Sequence, residues 1–335
     1  MKEYIKKVSK GQNLTVQEMQ GAMHQMMSGE VAAEDFAEFL LALRKKGASV
    51  DEITGAAMTM REFSVPVNKP QGVVLDVVGT GGDKKGTFNI STITAFVAAG
   101  AGCTVAKHGN RSVSSKCGAA DVLEKLGVNI QMDVSLLELC LKDVGIAFLF
   151  AQKLHPAMKH AAPVRKSLKV ETIFNILGPL TNPARSTHQL VGVYDKLLIE
   201  PMAHVLKNLG IRRAMVVHGQ DGSDEITTTT STFVCEYDGE KMSSYVIDPQ
   251  RLGIAKASEK DLRGSGIEEN TQIAIDILDG GRGPKRDIVV LNAAHALYVA
   301  EAAKTVEEGI KLASDSIDSG RAKAKLETLK QFTNS

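Results

Sequence analysis

The sequence predicts an α/β protein: a small all-helical N-terminal domain, then a large α/β domain with a mostly parallel central sheet and surrounding helices. Three observations predict it. Residues 1–65 carry helix caps and apolar residues at helical spacing. From Val73 onward, short β-branched runs alternate with helical segments, the pattern of a parallel sheet. A turn-rich stretch, 156–186, then interrupts the alternation. The 335 residues allow one large domain or two smaller ones, and 43% hydrophobic content is ample for a core. The expected division is a helical domain at 1–68, completed by inserted helices at about 156–186, and an α/β domain made of 72–155 and 187–335.

Taken in order, Thr15-Val-Gln-Glu18 and Ser49-Val-Asp-Glu52 are capping boxes, each opening a helix. Phe36, Phe39, Leu40 and Leu43 share a helical face, and Lys45-Lys46-Gly47 supplies a cationic last turn and a terminating glycine. Met19, Met23, Met26 and Met27 make an adaptable apolar patch, either ordinary core or a subunit interface. Pro66 and Pro70 mark a linker. Residues 73–78 and 103–106 are strands, and 93–99 is a helix with Ser91 and Thr92 as hydroxyl caps. Residues 119–126 are helical and stop at Gly127; Ser135-Leu-Leu-Glu138 caps the next helix, and 146–150 is a buried strand. The stretch 156–186 is expected to form helices packing back on the N-terminal ones. Alternation resumes with strand 189–194, helix 197–209 and strand 214–218. Residues 230–237 and 243–247 flank Asp238-Gly239 as a hairpin, and helices near 270–279, 286–300, 304–318 and 321–332 end the chain.

Composition excludes several function classes. Forty Lys and Arg against 39 Asp and Glu leave a net charge of +1, which argues against a nucleic-acid surface built on global charge. No apolar run approaches the roughly eighteen residues of a membrane span, and the N-terminus lacks the apolar core of a signal peptide. Cys103, Cys117, Cys140 and Cys235 show no Cys-x-x-Cys spacing and read as free thiols of a reducing cytoplasm.

The chemistry gathers between Asp76 and Gly118. After the first strand stands Gly79-Thr-Gly-Gly-Asp83, then Thr87-Phe-Asn89-Ile-Ser91-Thr92 opening a helix. Glycine permits positive φ and close approach of a ligand to the backbone, and a helix N-terminus offers unpaired N–H groups. That order suits a phosphate. After the second strand, Lys107-His-Gly-Asn-Arg-Ser112 and the following serines bring cations and hydroxyls to the same sheet edge. Two strand ends so equipped fit a phosphate-rich ligand at the carboxyl edge of a parallel sheet. The turn is neither a P-loop nor a dinucleotide fingerprint, because Asp83-Lys84-Lys85 lacks the residues both require. Asp224-Glu225, beyond the loop His218-Gly-Gln-Asp-Gly-Ser, suits Mg²⁺ or is solvated acidic surface. No His/Cys cluster accompanies it, which disfavours zinc.

In these motifs, and in His155-Pro-Ala-Met158, Pro163-Val-Arg165, Thr172-Ile-Phe-Asn175 and Gly178-Pro-Leu-Thr-Asn-Pro183, the chain resembles the anthranilate phosphoribosyltransferases of tryptophan biosynthesis. The match runs through nearly the whole chain in order. Pyrimidine nucleoside phosphorylases look similar in fold and glycine turn but lack this combination of loops. Gln152, Glu171 and Ser223 depart from the usual family pattern, which has proline, arginine and leucine there.

The resemblance implies transfer of the phosphoribosyl group of 5-phosphoribosyl 1-pyrophosphate to the amine of anthranilate, with Mg²⁺ as cofactor. A homodimer joined through the Met-rich helices of the first 65 residues is expected, in the cytoplasm, with no nucleic-acid or membrane partner. Donor contacts are expected from Gly79, Gly82, Asp83, Thr87, Asn89, Ile90, Ser91, Thr92, Lys107, His108, Gly109, Asn110, Arg111, Ser112, Val113, Ser114, Ser115 and Ala119. Gly79, Asn110 and Arg165 are expected at the acceptor, a guanidinium fork being matched to a carboxylate. Ser91, Asp224 and Glu225 are expected at the metal. No general base is assigned; His108 and His155 stand beside Gly or Pro and suit positioning at least as well. The alternatives are a pyrimidine nucleoside phosphorylase and an inactive nucleic-acid-binding homologue. The latter would be expected to lose Asp224-Glu225 or Arg165 and to show a basic face.

Overall fold

The computed structural model describes residues 1–111 and 117–335. Four helices come first: α1 (Lys2–Ser9), α2 (Val16–Met27), α3 (Ala33–Lys46) and α4 (Val50–Glu62). Both capping boxes form. Thr15 Oγ1 accepts from Glu18 N–H at 3.2 Å while the Glu18 carboxylate accepts from Thr15 N–H at 2.8 Å. At Ser49 the reciprocal pair with Glu52 also closes, and Glu52 goes further, accepting from Leu14 N–H at 3.0 Å and pairing with Lys46 at 2.7 Å. The methionine patch on α2 is core: Met19, Met23, Met26 and Met27 are all buried within the chain. The interface reading of those four residues is therefore corrected, because α4 and the later helices cover the face that carries them.

Alternation follows as β1 (Val74–Gly79), α5 (Ile90–Gly100), β2 (Thr104–Gly109), α6 (Ala119–Lys125), α7 (Val134–Asp143) and β3 (Ile146–Phe150). Two expected caps move. The α5 cap is Asn89, without a side-chain capping bond, so Ser91 and Thr92 lie inside the first turn. The α7 cap is Asp133 rather than Ser135, and Glu138 instead accepts from the main-chain and side-chain nitrogens of Asn68, tying the linker to α7.

The interrupting stretch holds α8 (Ala151–Leu154), α9 (Met158–Leu168) and α10 (Phe174–Leu177). As expected, α9 packs on α2 and α3, and Phe174 meets Phe36 with ring centroids 6.2 Å apart. The chain ends with β4 (His188–Gly192), α11 (Ile199–Asn208), β5 (Arg213–Gly219), β6 (Thr232–Tyr237), β7 (Met242–Ile247), α12 (Ile267–Leu278), α13 (Pro284–Val299), α14 (Val306–Asp318) and α15 (Arg321–Asn334).

The seven strands form one sheet in the order β3-β2-β1-β4-β5-β6-β7. The pairs from β3 to β5 are parallel, and the hairpin β6–β7 adds two antiparallel pairs at one edge. Both faces are covered, as a parallel sheet requires. Helices α5, α13, α14 and α15 pack together in one apolar cluster with strand residues such as Leu75 and Val105. The helical bundle and α11 share a second cluster with Val191, Val193, Val216 and Cys235. No helix among the described residues is long and apolar enough to cross a membrane.

Candidate active site

Strand order places the site. From β1 the chain runs outward through β2 to β3, then returns to β4 on the other side of β1 and proceeds to β5. The two halves diverge between β1 and β4, so a crevice opens at the carboxyl ends of those strands. There Gly79 and Gly192 are register partners, and Asp224 lies against both. A Cβ at Gly79 would collide with the Asp224 carboxylate, and one at Gly192 with the Asp224 carbonyl. The paired glycines are what admit the acidic loop to the strand ends. Gly81 and Gly82, at φ +66 and +81, turn the chain so that Gly81 N–H donates to Asp224 Oδ2 at 2.7 Å.

The acidic loop is built around Asp221. Its carboxylate accepts from Ser223 N–H at 3.0 Å, Ser223 Oγ at 2.7 Å and the hydroxyls of Thr227 and Thr229. Burial alone would raise its pKa, but the four donors outweigh that and hold it below the usual value. Ser223 thus fits its place through its hydroxyl. Ile226 N–H donates to Asn292 Oδ1 at 3.0 Å, which anchors the loop to α13.

Asp224 and Glu225 sit in an excess of negative charge. Burial and the neighbouring Asp83 push the Asp224 carboxyl up to about 7, against the pull of Gly81 N–H. Burial and Asp224 raise Glu225 well above its ordinary value, while Lys107 and the Ser91 N–H act in the opposite direction. Asp83 Oδ1 accepts from Lys85 N–H at 3.1 Å, and its buried Oδ2 has no partner. Lys107 reaches this region from β2: its buried ammonium donates to Val77 O at 2.7 Å and Ser91 Oγ at 3.2 Å. Three carboxylates against one ammonium, with an orphaned oxygen and a hydroxyl at hand, fit a hard divalent cation such as Mg²⁺. Among the described residues, no three His, Cys, Asp or Glu side chains are close enough to enclose a metal by themselves. A cation here would draw further ligands from water or phosphate, as Mg²⁺ commonly does.

The first turn of α5 contributes Ile90, Ser91 and Thr92. Its cap, Asn89, is fixed by Asn270, which donates to Asn89 Oδ1 at 3.0 Å. Thr87 forms an isolated bridge with Arg263. Gly109 is pressed against Phe148, and Asn110 leaves β2 exposed, its carbonyl accepting from Ala120 N–H one residue after Ala119 opens α6. Arg111 is engaged with Asp121 and Glu124, its guanidinium 5.5 Å from the Phe150 ring centroid. Its charge is directed at α6. Ser112, Val113, Ser114 and Ser115 lie outside the described residues.

Both nitrogens of the His108 ring face protein groups. Nδ1 lies 3.1 Å from Gly178 O, so that nitrogen carries the proton, and Nε2 meets His155 Nε2 at 3.2 Å. Burial and His155 lower His108 to about 3, and burial lowers His155 to about 4. Both rings are neutral at pH 7 and act as buried polar packing. Arg165, on α9, lies 5.5 Å over the Phe174 ring and pairs with no carboxylate among the described residues. Burial lowers its pKa. A planar guanidinium backed by an aromatic ring and lacking an anion suits a planar carboxylate ligand.

Sequence reasoning missed four structural contributors: Gly192, Asp221, Asn182 and Gln189. Asp221 stood in the quoted loop and Asn182 in a quoted motif, so the residue types were in view but their partners were not.

Two family models cover most of the chain. That of the glycosyl transferase family helical bundle domain matches residues 2–64, and that of the family's α/β domain matches 71–323. The anthranilate phosphoribosyltransferase of Petrotoga mobilis is 52% identical over 331 residues, covering 99% of this chain and 96% of its own. That of Methanobrevibacter smithii is 50% identical over 335 residues, covering 100% of both chains. Among solved structures, the Thermus thermophilus anthranilate phosphoribosyltransferase superposes with a TM-score of 0.94 at 40% identity, over 99% of each chain. The Saccharomyces cerevisiae enzyme in complex with PRPP and Mg gives 0.91 at 28% identity, over 99% of this chain and 97% of its own.

Proposed function

The chain belongs to the anthranilate phosphoribosyltransferase family, and from that premise we propose how its own residues run the reaction. It transfers the phosphoribosyl group of 5-phosphoribosyl 1-pyrophosphate to the amine of anthranilate, releasing pyrophosphate. The observation that carries the reading is the closure of the Asp224 loop onto the paired glycines Gly79 and Gly192, which sets acid groups beside the glycine turn at one strand-end crevice.

In this reading the donor's phosphates lie along Gly79–Asp83, the first turn of α5 and residues 107–111 at the end of β2. Lys107 supplies a desolvated point charge, and N–H groups of the α5 first turn supply fixed dipoles. Ser91, Asp224 and Glu225, with Asp83 adjoining, would hold Mg²⁺. The ion, when bound, offsets charge on the pyrophosphate leaving group. The attacking group is an aromatic amine, neutral at pH 7, so it needs no base to expose its lone pair. Neutral, internally bonded His108 and His155 agree with that requirement. Arg165 would take the anthranilate carboxylate two-point fashion, and Asn110 would meet the acceptor from the end of β2. The remaining work is orientation of two substrates at one sheet edge.

We also propose that the chain pairs as a homodimer through the helical domain, where Leu41 of α3 stands 44% exposed. Four free cysteines suit a reducing compartment, and we place the enzyme in the cytoplasm.

The test is loss of anthranilate fluorescence on mixing with the donor, with and without Mg²⁺. Consumption only when donor and Mg²⁺ are both present supports the reading. Turnover persisting in excess chelator overturns its metal part. Release of free base from uridine or thymidine with phosphate, without anthranilate consumption, overturns the rest.

A further inference from the structure

Asp76 touches neither substrate in the reading above, and beyond facing the Lys107 charge its surroundings are built for a carboxylate. The residue is 0% exposed in mid-strand β1. Its carboxylate accepts from His108 N–H at 3.2 Å, Asn182 Nδ2 at 2.8 Å and Gln189 Nε2 at 3.3 Å. Each donor holds something else as well. Asn182 Nδ2 also donates to Ala106 O at 2.8 Å, and Gln189 Nε2 to Pro179 O at 2.9 Å. The His108 ring donates to Gly178 O. These ties converge on two structures: the end of β2, from which Asn110 emerges two residues after His108, and the 178–182 segment that returns from the helical domain to the sheet. Arg61, at the end of α4, adds a third hold on that segment through Leu180 O at 2.7 Å.

We propose that Asp76 is a positioning residue for the aromatic acceptor, locking the 178–182 segment against the end of β2 so that Asn110 and the helical domain's Arg165 meet one ligand. The proposal rests on the reading that Asn110 and Arg165 face anthranilate. Its physical basis is donor arithmetic. A carboxylate only accepts, and all three of its neighbours donate. An amide in its place would turn an NH₂ toward at least one of these donors, so one tie must open. Burial pushes the Asp76 carboxyl up to about 6, a cost that an apolar residue would not incur.

The test is two-substrate steady-state kinetics on Asp76→Asn, Asn182→Ala and the double variant, with melting temperatures measured alongside. Asp76→Asn is expected to raise the anthranilate KM on the order of tenfold and the donor KM by clearly less, the donor's share reflecting the charge lost beside Lys107. Asn182→Ala is expected to raise the anthranilate KM several-fold on its own, which keeps the test intact should Asp76→Asn not fold. The double variant should fall short of the combined single losses, because both loosen the same contact between the 178–182 segment and the end of β2. Equal rises in both substrates' KM, a lowered melting temperature with KM unmoved, or additive losses would each overturn the proposal. A wild-type chain that consumes no anthranilate sinks the underlying reading, whereas an active wild type with variants of normal anthranilate KM sinks this inference alone.

Discussion

At the scale of single residues, position in the fold separates groups of similar chemistry. Arg111 and Arg165 are both arginines of loops or helices near the crevice. Arg111 is neutralised by Asp121 and Glu124, whereas Arg165 rests on Phe174 with no anion among the described residues. Arg165→Ala should therefore raise the anthranilate KM ten- to hundredfold, a charged hydrogen bond to a carboxylate being worth about 1.5–3 kcal/mol. Donor affinity should stay nearly intact. Equal weakening of both substrates in steady-state kinetics would place Arg165 elsewhere. Pro163-Val-Arg165 drew attention to the arginine; its freedom from acidic partners was not legible there, because no local pattern reports which carboxylates a fold brings near. Asp76 shows the same limit more sharply. Its partners Asn182 and Gln189 lie 106 and 113 positions away in the chain.

At the scale of elements, legibility followed locality. The capping boxes at Thr15 and Ser49 are four-residue devices and formed as read. The hairpin around Asp238-Gly239 formed too, with Asp238 Oδ1 accepting from the N–H groups of Glu240 and Lys241. The α5 cap was misplaced because three polar residues, Asn89, Ser91 and Thr92, compete within four positions, and the structure begins the helix at the earliest. The α2 methionines were ambiguous for another reason: burial is a property of what packs on a face, and nothing on the helix itself names its partner. Close approach is the corresponding blind spot for glycines. Gly192 looks like an ordinary strand end until Asp224 is seen against it. Gly192→Ala should displace the acidic loop and cut kcat at least tenfold while leaving the β-sheet intact by circular dichroism. Unchanged kcat would show that the loop tolerates the added methyl group. Thr15→Ala, by contrast, should cost about 1 kcal/mol of stability in urea titration and leave turnover untouched; slowed turnover would contradict its assignment as a cap alone.

At the scale of the whole molecule, buried titratable groups set the pH range of the fold. His108, His155 and His295 are held at about 3, 4 and 4, below the ordinary 6.5, chiefly by burial. The unfolded chain binds more protons than the folded one between pH 4 and 6.5, so these groups withdraw stability as pH falls through that window. Asp76, raised by burial to about 6 from 3.8, acts with the opposite sign between those values. Asp224, raised to about 7, and Glu225, also raised, act with the same sign as Asp76, so the histidine share is isolated by a histidine variant. Replacing His295→Leu, which lies away from the crevice in α13, should flatten the dependence between pH 6.5 and 5 by about 2 kcal/mol. An unaltered slope in urea midpoints would mean that His295 does not stay neutral in the folded state. The same rings bear on catalysis, because neutral His108 leaves the reaction to charge rather than to base chemistry. The most direct measurement is kcat at saturating substrates for Asp224→Asn with Glu225→Gln, beside His108→Asn and a wild-type rate profile from about pH 5.5 to 9. Electrostatic catalysis at the glycine crevice predicts a far larger loss from the acidic pair and no histidine inflection. Equal losses, together with an inflection near the ordinary histidine value, would contradict it and make His108 a general base.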